Sequence, residues 1–175
     1  MKKITFLYPV LLLSLGCSQA PRQKQKNDLT YFDIKGYFDK EARRLQKSKT
    51  IVAKTVSVQD GRETKKVEIA DWKKELSSFI DADVNRDAWK GAFAISQVNG
   101  QLIYTSDNEK VPVKEIRIDM KNEQLKGLRV IVKNSNTLYT SVDSLFYYPD
   151  SLYRIKKVQK INLMSEKRYE VSGIF

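Results

Sequence analysis

From Trp89 to Phe175 the chain consists of short stretches whose side chains alternate with a period of two, separated by small polar breaks. That feature restricts the fold more than any other. Alternation sends successive side chains to opposite faces of a strand. Sequential strands joined by short turns pair with their neighbours and give an antiparallel meander. The expected strands cover 89–98, 101–106, 113–120, 125–133, 137–148, 152–163 and 167–175. The pattern is cleanest in "EIRIDM", where Ile116, Ile118 and Met120 share a face, and in "YEVSGIF", where Tyr169, Val171, Gly173 and Phe175 do. Asn99-Gly100 marks a tight turn. "DNEK", "KNEQ", "NSN", "PDS" and "SE" supply the other breaks. Polar residues alternate along most strands, which predicts one buried and one wet face.

Upstream, "TIVAKTVSV" and "RETKKVEI" flank Asp60-Gly61, a hairpin signal because both turn residues tolerate positive φ. Two segments switch to a helical period. Thr30 to Lys47 places Tyr31, Ile34, Phe38, Ala42 and Leu45 on one face, with Thr30 as the expected cap and Asp33 as its capping-box partner. Arg43, Arg44 and Lys47 sit near its far end, where the helix dipole favours cations. Asp71 to about Asp81 carries an N-cap candidate in Asp71 and an apolar face of Trp72, Leu76, Phe79 and Ile80. The expected fold class is α+β: a long, curled antiparallel β-meander of about nine strands packed on two short amphipathic helices. Residues 29–175 are expected to form one domain, without internal repeats.

Composition narrows the chemistry. Of 175 residues, 41% are hydrophobic and 30% charged, a globular balance. A chain of this size buries roughly 70% of its unfolded surface, enough to stand without staples. The sequence has no His and one Cys. That excludes a Ser-His-Asp triad, a Cys-His pair and a zinc site built from Cys and His. Carboxylate, Lys, Tyr and hydroxyl chemistry remain, and no cofactor is expected.

The single cysteine sits where an apolar run ends. Lys2 and Lys3 precede the stretch Ile4–Leu15, which is too short to span a bilayer, where about 20 apolar residues are needed. A basic start and a short apolar core make a secretory signal. The "LSLGC" that follows resembles the lipobox of bacterial lipoproteins, with Ser14 where that family usually has Leu. The resemblance implies a signal peptide at 1–16, cleavage after Gly16, and lipidation of Cys17. Residues 17–28 would then be a lipidated tether, whose Arg22, Lys24 and Lys26 read first as solvated charge that aids solubility and alternatively as contacts to anionic headgroups. Ser18 after the cysteine implies the outer membrane, facing the periplasm, with surface exposure left open. The alternative is an ordinary secretory signal cleaved near Ser18–Ala20. The formal charge is +11. An envelope address and the lack of an aromatic stacking motif argue against nucleic acid. The body is similar in plan to the half-barrel carriers and receptors that localise lipoproteins, and to small lipoproteins of Gram-negative envelopes. That is a likeness of architecture, from which no functional residue is carried over.

Two constellations stand out in the body. In "DADVNRD", Asp81, Asp83 and Asn85 match the first, third and fifth positions of a calcium loop. Arg86 replaces the required Gly and Ala92 the bidentate Glu, so the segment is expected to be a turn rather than a metal site. "SLFYYPDSLY" clusters Tyr147, Tyr148 and Tyr153, a candidate partner or ligand surface. The alternative is aromatic packing across adjacent strands. Asp119 and Glu123, or Asp143 and Asp150, show no spacing that marks an acid/base pair. The functional expectation is a lipid-anchored, non-enzymatic envelope protein that binds an apolar ligand or a protein partner through a curved sheet. The alternative is a carboxylate-dependent hydrolase acting on envelope carbohydrate or peptidoglycan. An apolar cavity favours the first; a cleft with facing carboxylates favours the second.

Overall fold

A computed structural model describes residues 30–175, so the expected signal peptide, the tether and Cys17 lie outside the described residues. Helix α1 spans Ile34–Ser48 and is capped by Asp33, whose Oδ1 accepts from Gly36 N at 2.7 Å. The cap is thus three residues later than the expected Thr30. Tyr31 lies ahead of the helix because its amide donates to Asn85 Oδ1 at 3.0 Å instead of entering the first turn. The apolar stripe Ile34, Phe38, Ala42 and Leu45 is buried as its spacing requires. Lys49, in the left-handed region at φ 50°, stops the helix.

Strands β1 (Ile51–Val58) and β2 (Gly61–Glu68) form the expected hairpin, with a turn one residue earlier than Asp60-Gly61. Val58 pairs with Gly61, and the positive φ of 53° falls on Gln59. Gln59 is held there by Arg168: its amide donates to Arg168 O at 3.0 Å, and its side-chain oxygen accepts from Arg168 N at 2.9 Å.

The second helix is two pieces, α2 (Trp72–Glu75) and α3 (Ser77–Asp81), divided at Leu76. Asp71 caps α2 as expected, accepting from Lys74 N at 2.9 Å. Two serines follow the break, and serine competes with helical hydrogen bonding. The bend still leaves Trp72, Leu76 and Phe79 fully buried, while Ile80 is partly exposed.

After a 3₁₀ turn at Asp87–Trp89 come β3 (Ala94–Val98), β4 (Gln101–Thr105), β5 (Val113–Lys121), β6 (Gln124–Ser135), β7 (Tyr139–Tyr148), β8 (Leu152–Ile161) and β9 (Lys167–Ile174). The first of these begins five residues later than expected. Residues 87–89 form a helical turn, Arg86 stacks over Trp89 at 4.7 Å, and Gly91 takes a φ of 73° that a continuing strand would not allow.

All nine strands form one antiparallel sheet in the order β2-β1-β9-β8-β7-β6-β5-β4-β3. The last seven are the meander the alternation predicts. The β1–β2 hairpin joins at the far side, with β1 pairing along β9. Edges β2 and β3 stay apart, so the sheet does not close into a barrel. The three helices pack on one face, called inner here. Phe38 stacks on Phe79 with centroids 4.7 Å apart, and both meet Tyr147 edge-on. Trp72 stacks on Phe175 at 5.7 Å and meets Tyr153 edge-on. No helix among the described residues is long and apolar enough to cross a membrane.

Candidate functional site

The register decides which of the expected site residues can reach a partner. Tyr147 and Tyr153 pair directly across β7 and β8, both pointing inward, and both are fully buried. Each phenol clasps a helix to the sheet. Tyr147 donates to Glu41 Oε1 at 2.5 Å, and Arg44 holds the same carboxylate in a fork at 2.7 and 2.8 Å. Tyr153 donates to Glu75 Oε1 at 2.6 Å, while Lys54 of β1 takes Oε2 at 2.7 Å. These are two copies of one arrangement, a buried phenol and a cation sharing one helical carboxylate, which satisfies polar groups that burial would otherwise penalise. Burial first, and the bond to the carboxylate second, push both phenols far above their ordinary value. Tyr153 also lies flat over its cross-strand partner Gly173, where a Cβ would stand 2.1 Å from the ring.

Beside the first clasp, between α1 and the β5–β6 and β7–β8 turns, lies a cleft of about 530 Å³. Phe32, Tyr37 and Met120 give it apolar wall, and Glu123 and Asp150 stand on its rim. Arg44 spans it, bonding Glu41 on one side and Asp150 at 2.5 Å on the other. Asp83 and Asn85 of the calcium-loop-like segment are spent on a turn. Asp83 Oδ1 accepts from Asn85 N at 3.0 Å, and the Asn85 amide donates to Tyr31 O and Phe32 O at 3.2 Å. Among the described residues no group of three or more carboxylates is placed to hold a metal ion.

Of the three tyrosines only Tyr148 reaches solvent, at 44% exposure, and it points to the opposite, outer face. Its ring covers Gly127, its direct neighbour on β6, at 3.0 Å from where a Cβ would be. On its other side the cross-strand row continues through Leu152 and Ile174 to Ala53. Ile174 is 59% exposed, so an apolar row lies open to water.

The adjacent row is different. Arg154, Phe146, Arg129 and Arg117 stand side by side on β8, β7, β6 and β5. Strand spacing puts the three guanidinium-bearing strands within about 15 Å. Arg129 lies over the Phe146 ring at 5.7 Å. Arg117 is forked by Glu115 of its own strand, and that hydrogen bond holds the Glu115 carboxyl below its ordinary range. Arg154 meets Glu170 at 3.2 Å. Arg117 and Arg129 are direct cross-strand partners, a like-charge pairing that costs stability when nothing lies between.

The sequence points to these arginines only weakly. Each sits between apolar neighbours in an alternating run, as in "EIRID", "LRVI" and "YRIK", but it takes the register of four strands to bring them into line. No protein-family model, curated protein or solved structure matches the chain.

Proposed function

We propose that the protein is a lipid-anchored, non-enzymatic outer-membrane protein that holds a partner through the open face of its sheet. The observation that carries this reading is the asymmetry of the two faces. Helices α1 to α3 fill most of the inner face with an aromatic core, and the cleft left beside α1 is spanned by Arg44 with its bonds to Glu41 and Asp150. The outer face presents an open apolar row beside a row of arginines. The sheet is read as curling around the helices, helped by irregularities in the β5–β6 ladder at Val113/Glu115 and Asp119/Met120. The anchor is read from Cys17 and its flanks. The hydrolase alternative has less to stand on, because the best-buried carboxylate, Glu41, has both oxygens engaged by Arg44 and Tyr147.

Two measurements test the proposal. Metabolic labelling with a fatty acid is expected to mark the wild-type chain and not Cys17→Ser, which should leave the membrane fraction or stay uncleaved. Hydroxyl-radical footprinting in intact envelopes and on the purified chain reads the face. Tyr148 should be shielded in the envelope, while Met164, exposed in the β8–β9 turn, reacts equally in both. Equal reactivity of Tyr148 in both settings would remove the open face as the binding face.

A further inference from the structure

The charge of the described chain is concentrated on one surface. Residues 30–175 hold 27 Lys or Arg and 20 Asp or Glu, a net of +7. Sorted by strand register, the outer face carries ten of those cations and four of the anions, a net of +6. Everything else, helices and inner face included, sums to +1. Lys156 borders the arginine row, Lys133 and Arg168 stand in the row beyond it, and Lys160 extends the basic ground toward the β8–β9 turn. The open apolar row of Tyr148, Leu152 and Ile174 runs along the other border.

We infer that this face is a seat for an anionic bilayer surface. The inference rests on the proposal that the outer face is the binding face, and names its occupant. Three observations select a bilayer. The basic ground extends from β2, where Arg62 and Lys66 face outward, to β5, so it matches a broad field of negative charge rather than one compact anion. An aromatic and aliphatic row beside it supplies side chains that sit at the boundary of headgroups and acyl chains. Glu115 already forks Arg117, so of this opposed pair it is Arg129, lying over the Phe146 ring, whose charge faces a negative group placed above the row.

The chain outside the structure also permits the pose. It enters beside Tyr31, whose ring packs on Tyr104 of β4, next to the β3 edge. Turning that edge takes about two strand spacings and one layer, roughly 20 Å. Residues 17–30 reach about 45 Å when extended. An anchored domain meets its bilayer at high effective concentration, so a weak, screened attraction is sufficient.

The test uses the full chain in vesicles of phosphatidylcholine alone, and of phosphatidylcholine with a minority of phosphatidylglycerol. Hydroxyl-radical labelling of Tyr148 and Leu152, referenced to Met164, should drop several-fold in the anionic vesicles and stay unchanged in the neutral ones. High salt, or the double variant Arg129→Glu/Lys133→Glu, should restore it. The two charges are exposed, so the variant keeps its core, and an unaltered near-UV spectrum checks this. Shielding in intact envelopes without shielding in anionic vesicles would overturn the bilayer seat, leave the open-face reading standing, and point to a protein occupant. Shielding in neither setting would overturn both.

Discussion

The hydroxyl of Tyr147 donates to a carboxylate that is 8% exposed and is shared with Arg44, so its proton is part of the fold. Tyr153 is placed in the same way on Glu75, and burial raises Tyr37 and Tyr104 as well. The folded chain therefore keeps these phenol protons to higher pH than the unfolded chain, whose tyrosines titrate near pH 10. Their contribution is fully present below that pH and is lost as pH climbs through it, by about 1.4 kcal/mol per unit for each phenol. The urea midpoint is expected to be level from neutral pH to near pH 9 and to fall beyond. Tyr147→Phe should cost about 1.5–3 kcal/mol at neutral pH, as loss of a hydrogen bond to a charged group, and should make the alkaline fall shallower. An alkaline slope unchanged in Tyr147→Phe and in Tyr153→Phe would show that the clasps are not its source. The adjacent Tyr148 shows why sequence alone left this cluster ambiguous. The alternation puts Tyr147 and Tyr148 on opposite faces, but only the helices decide which face is dry.

The helices show what periodicity can and cannot carry. Their apolar faces were legible, since spacings of three and four residues align side chains whatever they pack on. Their ends were less so. Asn85, more than fifty residues downstream, holds Tyr31 and so moves the start of α1. The grip of Tyr153 and Lys54 on Glu75 fixes the end of α2, just before the break at Leu76. Neither partner is visible in a local window. Both pieces after Asp71 are shorter than an isolated helix can sustain, so their stability comes from packing. Phe79 tests that directly: it is fully buried, stacked on Phe38 at 4.7 Å and edge-on to Tyr147 at 5.9 Å. Phe79→Ala should cost about 3–5 kcal/mol. A urea midpoint close to that of wild type would mean that α3 moves as a lid and is not core.

At the scale of the whole molecule, the meander was legible because each of its strands pairs with the next. The second partner of β1, beyond its hairpin mate β2, was not. It is β9, whose pairing residues lie more than a hundred positions away, and local alternation contains no information about such a pairing. The same gap hid the apolar row of the outer face, which is complete only once β7, β8, β9 and β1 lie side by side, whereas the arginine row needs only the register of β5 to β8. β9 is consequently the strand that joins the two parts of the sheet, with β1 on one side and β8 on the other. It supplies Gly173, which leaves room for the Tyr153 ring, and leads into Phe175, which stacks on Trp72. Ending the chain after Glu166 would leave β1 and β8 with unpaired edges and strip the cover from Trp72 and Tyr153, which are otherwise fully buried. Burial lost on that scale, together with two orphaned ladders, exceeds the margin of 5–15 kcal/mol by which domains are stable. The truncated chain is expected to lose its near-UV circular dichroism and its sharp urea transition. Leu163→Ser, in the exposed β8–β9 turn at the other end of the same strand, should change neither. A cooperative transition that survives truncation would instead make the β1–β2 hairpin and β9 an appendage to a core already complete at β8.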